Sequence, residues 1–171
     1  MSIYFLCSCT TDWHEQNKLR GHADIPLNNC GREQARIIRE KLLEKDIDLI
    51  LCSPLDRAHE TAQIATAGKD IPITFDTRII ERDCGDFECR PAPHGFWDTQ
   101  HEECDNCESL SNFIARIHDF LYRIQKKYKD QNILIVSHSG VGAAINHYFG
   151  NTFSLVEPGG FCEFFPSVVN L

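Results

Sequence analysis

Nine cysteines in 171 residues are the first chemical signal in this sequence. A thiolate binds soft metal cations and acts as a nucleophile, and two thiols can close a disulfide. Two pairs have suggestive spacing, Cys7-x-Cys9 and Cys104-x-x-Cys107. Together they offer four sulfurs, the number that tetrahedral zinc or an iron–sulfur cluster requires. Other polar groups able to do chemistry stand nearby in the chain or in similar surroundings: Ser8 between the first two cysteines, Arg57 after "CSP", and His138 inside "IVSHSG". A redox disulfide between Cys104 and Cys107, or a set of small residues under no constraint, are the plainer readings of the same cysteines.

These groups act together only if folding gathers their segments. "IYFL" at 3–6 is a short apolar run that stops at small polar residues, as a buried parallel strand does. "GREQARIIREKLLEKD" repeats Ala35, Ile38 and Leu42 at helical spacing among charges, the pattern of an amphipathic helix on a sheet. "IDLILCS" reads as the next strand, closed by Pro54. "LDRAHETAQIATAG" reads as a helix stopped by Gly68, and "IPITFD" as a short strand. In "ESLSNFIARIHDFLYRIQKKY", Leu110, Phe113, Ile117, Phe120, Leu121 and Ile124 share one helical face, and Lys126 and Lys127 suit the C-terminal dipole. "NILIVSHSG" is the strongest strand signal, with a helix in "VGAAINHYFG" after it.

Strands alternating with helices predict an α/β fold, a three-layer α/β/α sandwich around a mostly parallel sheet. Ligands of such sheets bind beyond the C-terminal ends of the strands. That rule selects the loops after Leu6, Leu51 and Val136, and with them Cys7, Ser8, Cys9, Cys52, Arg57 and His138. The irregular span over 81–108 is longer than structural loops usually are and reads as a lid or pocket-bordering segment.

With 42% hydrophobic and 25% charged residues, the composition excludes disordered, collagen-like and coiled-coil classes. The length suits a single domain over 1–171. Seventeen Lys and Arg against 25 Asp and Glu give a net charge of −8, so nucleic acid is not expected as a partner. There is no apolar run of membrane-spanning length and no basic, apolar leader at the N-terminus, so a cytoplasmic protein without membrane association is expected. No nucleotide cofactor is indicated.

Five motifs in order, "TTDW" at 10–13, "GHADIPLNNCGREQA" at 21–35, "CSPLDRAHETA" at 52–62, "ERDCGDFE" at 81–88 and "IVSHSGV" at 135–141, resemble those of the histidine phosphatase, or phosphoglycerate mutase-like, superfamily. The resemblance covers nearly the whole chain and implies the same three-layer fold. In that family the first strand ends in Arg-His-Gly, the His being the nucleophile that becomes phosphorylated; Cys7, Ser8 and Cys9 hold those places here. The resemblance further implies Arg57 as a phosphate-binding residue, Glu81 as proton donor and His138 as the second pocket histidine. It puts His14 where the family often has Asn near substrate, and Cys89 and Cys107 where glycine is usual.

A labile phosphoramidate needs an imidazole, which Ser8 does not supply. The expectation is therefore that the protein is not a conventional phosphatase. The resemblance lets Cys7, Cys9, Cys104 and Cys107, with Cys89 or His138 as substitutes, converge on the vacated pocket to hold zinc or an iron–sulfur cluster. Two alternatives stand beside this. One is a pseudophosphatase that holds a phosphorylated small molecule or protein through Arg57 and His138. The other is a phosphatase or mutase-like enzyme with residual phosphoester hydrolysis, with Glu81 as acid and Ser8 or water as nucleophile. Cys52 and Cys162 are expected in the core, Cys30 and Cys84 without a role, and His59, His118 and His147 at the surface.

Overall fold

Five strands build one sheet: β1 (Ile3–Cys7), β2 (Leu49–Cys52), β3 (Ile73–Phe75), β4 (Ile133–Ser137) and β5 (Phe161–Phe164). They lie in the order β3-β2-β4-β1-β5. β1 to β4 pair in parallel, and β5 runs antiparallel to β1. Among the described residues five α-helices accompany them: α1 (Asp12–Glu15), α2 (Asn29–Leu43), α3 (Asp56–Ala65), α4 (Leu110–Lys127) and α5 (Ser139–Tyr148). The structure is a computed structural model, and residues 1–97 and 106–166 are described.

Every residue of β1, β2 and β4 is buried, because helices cover both faces of the central strands. Alternate residues then divide between two cores. Ile3, Phe5, Cys7, Leu49, Leu51, Ile133 and Ile135 pack with Phe113, Ile117, Phe120 and Leu121 of α4 and with Val141 and Ala144 of α5. Tyr4, Leu6, Ile50, Cys52, Leu134 and Val136 pack on the other face with Ala35, Ile38 and Leu42 of α2 and Ala58 and Ala62 of α3. The helical stripes read from the sequence are thus the buried ones.

Local chemistry sets the helix starts. Asn28 caps α2 by accepting from the Gly31 amide at 2.9 Å, and Ser109 caps α4 by accepting from the Asn112 amide at 3.1 Å. α5 sits close against β1 because Gly142 has no side chain; a Cβ there would lie 2.5 Å from the Phe5 ring.

The strand β5 and the four-residue α1 are absent from the sequence reading. "FCEF" is short and carries a charge, and its burial comes from pairing with β1 rather than from an apolar run of its own. Cys52 is fully buried as expected, but Cys162 is only half-buried, because β5 is an edge strand covered on one side. Among the described residues no helix is long and apolar enough to cross a membrane.

Candidate active site

The C-terminal ends of β1, β2 and β4 open on one cleft, lined among others by Ser8, His14, Arg20, Arg57, Glu81 and His138. Ser8 follows β1 directly and is buried; its amide donates to Ser137 O at 2.6 Å, which ties it to the end of β4. Beyond it the Cys9 amide donates to Thr61 Oγ1 at 3.0 Å and the Thr10 amide to Gln34 Oε1 at 3.0 Å, so α3 and α2 hold the turn out of β1.

Arg57 lies in the first turn of α3 and is 2% exposed. Its Nη1 donates to Ala23 O and its Nη2 to Gly21 O, each at 2.8 Å, which folds the 21–23 loop over the cleft. Burial pulls its pKa down to about 10, which leaves it a cation at neutral pH. Arg20 enters from the same loop.

Glu81 faces these cations. Its Oε1 accepts from the Arg82 amide and its Oε2 from the Gly140 amide, both at 3.0 Å, the latter in the first turn of α5. Its main chain is fixed as well: Glu81 O accepts from Arg116 Nη2 at 3.0 Å and from His22 Nε2 at 2.9 Å. Arg116, on α4, is itself forked onto Glu108 at 2.6 and 2.8 Å. The carboxylate is therefore held at both oxygens, and its main chain is held as well.

Two imidazoles complete the cleft, and both are neutral. His138 is 2% exposed; its Nε2 meets Ser53 Oγ at 2.7 Å, and its Nδ1 is buried without a hydrogen-bond partner. Burial, then Arg57 and Arg20, hold it well below the ordinary histidine range. His14 is pushed down to about 3 by burial and then by Arg20 and Arg57. Its Nδ1 accepts from the Thr11 amide at 3.0 Å, so the neutral ring carries its proton on Nε2 and has no free lone pair for nucleophilic attack.

These two histidines make acid stability predictable in sign. An unfolded histidine takes up its proton near pH 6.5, whereas the folded sites resist it, so their contribution is complete above about pH 6.5 and shrinks as pH falls towards the folded values. We expect the melting temperature to fall between about pH 6.5 and 5, and His14→Asn to flatten that limb. Equal slopes for the two proteins in thermal unfolding across that range would refute the assignment.

The cysteine reading needs correction. Cys7 directs its Sγ to Val156 O at 3.5 Å inside the core shared with α4 and α5, whereas Cys9 packs in the core on the opposite face of the sheet. The two sulfurs of Cys7-x-Cys9 cannot close on one ion, because the strand ends between them and the chain turns. Burial raises both thiols, Cys9 to about 11, so they stay protonated rather than becoming metal-binding thiolates. Cys107 is disulfide-bonded and has no thiolate to give; its sulfur lies 3.0 Å from Cys84 O as a contact. Cys104 lies outside the described residues. Cys89 is exposed on a left-handed backbone, φ 64°. Among the described residues no group of three or more His, Cys, Asp or Glu is placed to hold a metal ion. The substitutes fail too, since His138 is surrounded by arginines rather than thiols.

Of the residues singled out from the sequence, Ser8, Arg57, Glu81 and His138 line this one cleft. Arg20, Cys84, Trp97 and Ser139 also line the cleft, and the sequence reading gave them no role there. Of the 81–108 span, Glu81, Cys84 and Trp97 border the cleft, and 98–105 lie outside the described residues.

The sequence matches the profile of the Histidine phosphatase superfamily (branch 1) over residues 3–155. The chain belongs to that superfamily. It is 36% identical over 136 residues to a protein of Bacillus subtilis named uncharacterized phosphatase PhoE, covering 80% of this chain and 69% of that one. It is 34% identical over 132 residues to the adenosylcobalamin/alpha-ribazole phosphatase of Escherichia coli, covering 71% and 65%. These matches span about two thirds of the relatives' own length. The solved alpha-ribazole phosphatase of Shigella flexneri superposes with a TM-score of 0.86 at 27% identity, over 98% of this chain and 92% of that chain. The superfamily membership and the mostly parallel α/β fold are as the sequence led us to expect. The expectation of a metal- or cluster-binding protein outside phosphatase chemistry is overturned: these relatives carry phosphatase names, and no metal-binding group stands among the described residues.

Proposed function

We propose that this superfamily member hydrolyses the phosphomonoester of a small molecule. The observation that carries the reading is the cleft itself: two guanidiniums and two neutral imidazoles face one rigidly held carboxylate at the ends of parallel strands. Such a site is electropositive and attracts a phosphate dianion. The names of the relatives support the same class of reaction.

Phosphoryl transfer passes through a loose transition state, so positioning and charge stabilisation do most of the work. Arg57 supplies positive charge to the equatorial oxygens. Ser53 Oγ holds the His138 ring through Nε2; with the Ser53 hydroxyl as donor in that bond, the ring proton sits on the unpartnered Nδ1, and His138 serves as a donor for a phosphoryl oxygen. Ser8 Oγ orients an attacking water at the β1 end. The water oxygen bonds to phosphorus as the ester P–O bond breaks; Glu81, which enters the step carrying a proton, gives it to the leaving oxygen, both water protons stay with the phosphate product, and Glu81 takes a proton back from solvent.

Release of inorganic phosphate from a panel of small phosphomonoesters tests the reading. Turnover of at least one ester is expected, with Ser8→Ala slowing kcat roughly tenfold by loss of one orienting hydrogen bond while KM stays unchanged. A folded protein that releases phosphate from none of them would refute it.

A further inference from the structure

The cleft holds a second cation, Arg20, which the reading above counts towards its charge but gives no contact with the substrate. Arg20 is half-buried, and its guanidinium makes one hydrogen bond, Nη1 to Lys18 O at 2.7 Å. Among the described residues it forms no ion pair within 4.0 Å. Arginine carries five N–H donors in a planar fork. Most of that fork therefore stands unengaged at the cleft. Arg57, by contrast, has committed both Nη groups to the backbone carbonyls of Ala23 and Gly21. At the end of β1, Cys7 contributes no charge, because its neutral thiol is turned into the core.

Arg20 is also held in place. On one side the Leu19 amide donates to Arg90 O at 2.8 Å and Leu19 O accepts from the Cys89 amide at 3.0 Å. On the other side Gly21 O accepts from Arg57, and a Cβ on Gly21 would lie 2.3 Å from Glu88 Oε1, so the chain is clamped there with φ +47°. A half-buried cation fixed in position and in direct contact with no carboxylate among the described residues keeps a desolvation cost, and Glu81 acts on it only from a distance, so an anionic ligand on the open fork would offset that cost.

We infer that Arg20 is a phosphate-binding residue, gripping the phosphoryl oxygens from the 18–21 loop opposite Arg57 and supplying the positive charge that the end of β1 lacks. The inference rests on the proposed phosphomonoester reading and adds to it the residue that sets affinity for the dianion. A bidentate grip also explains why arginine rather than lysine suits the position.

The test measures binding of inorganic phosphate by calorimetry, together with kcat and KM on the best ester, for the wild-type protein, Arg20→Gln and Arg20→Lys. Loss of charge-assisted hydrogen bonds should weaken phosphate binding and raise KM roughly ten- to a hundredfold in Arg20→Gln, with a smaller change in kcat and partial recovery in Arg20→Lys. Melting curves show that each variant is folded, and Arg20→Lys serves alone if Arg20→Gln is not. A variant that binds phosphate and ester as the wild type does would overturn the assignment and leave the phosphatase reading intact. A wild-type protein that neither binds phosphate nor hydrolyses any ester would overturn both.

Discussion

Glu81→Gln should lower kcat by a factor of about 10² to 10⁴, the usual contribution of a positioned general acid, without weakening phosphate binding. The change keeps the size of the side chain and removes the proton it gives to the leaving oxygen. It also removes the one carboxylate among the described lining residues, so inorganic phosphate should bind at least as tightly as before. The structural cost is bounded. Both oxygens of Glu81 accept a backbone amide, from Arg82 and from Gly140. A glutamine satisfies one and turns its NH₂ towards the other, which costs about 1–3 kcal/mol. The decisive comparison is kcat beside phosphate affinity in the folded variant. A kcat within a few fold of wild type would remove Glu81 from the role of acid, and a parallel loss of affinity would mark it as a structural brace instead.

Gly31→Ala should cost stability and activity together. Gly31 sits in the first turn of α2, where a Cβ would lie 2.1 Å from Thr10 O and 2.9 Å from Thr10 N. Both are main-chain atoms, so no side chain can rotate away and the helix must part from the turn that leaves β1. Overpacking of this kind costs about 1–3 kcal/mol, and a chain of this size loses about 2–4 °C in melting temperature per kcal/mol. The displacement falls on the segment between Ser8 and His14. Thr10 is bonded to Gln34 of α2, and Thr11 fixes the His14 ring, so turnover should fall further than the loss of stability explains. A melting temperature within about a degree of wild type would show that α2 and the turn can separate freely.

The parts of the fold legible in the sequence are those whose burial is written in local periodicity. α4 shows its apolar stripe because one face meets the sheet, and β4 shows a continuous apolar run because both faces are covered. β5 is only partly buried and is placed by pairing with a strand far away in sequence, so no local pattern announces it. In the site, Arg57, Glu81 and His138 stand in motifs whose order is distinctive. Arg20 stands in no such motif; its importance comes from where the 18–21 loop is clamped, by Arg90, Cys89 and Arg57, which sequence spacing does not express. The cysteines misled for a related reason. Two residues apart on a continuing strand, Cys7 and Cys9 would face the same way; here the strand stops at Cys7, and the two sulfurs part to opposite cores.

β1, which delivers Ser8 to the cleft, lies inside the sheet because β5 covers its outer side. Among the described residues the sheet ends on β3, three residues long, and on β5, four residues long with Glu163 ion-paired to Lys45 at 2.7 Å. Edges this short, with a charge inside β5, offer a poor template to another chain. The arrangement that seats the reactive end of β1 thus also guards the molecule against strand-by-strand recruitment into aggregates.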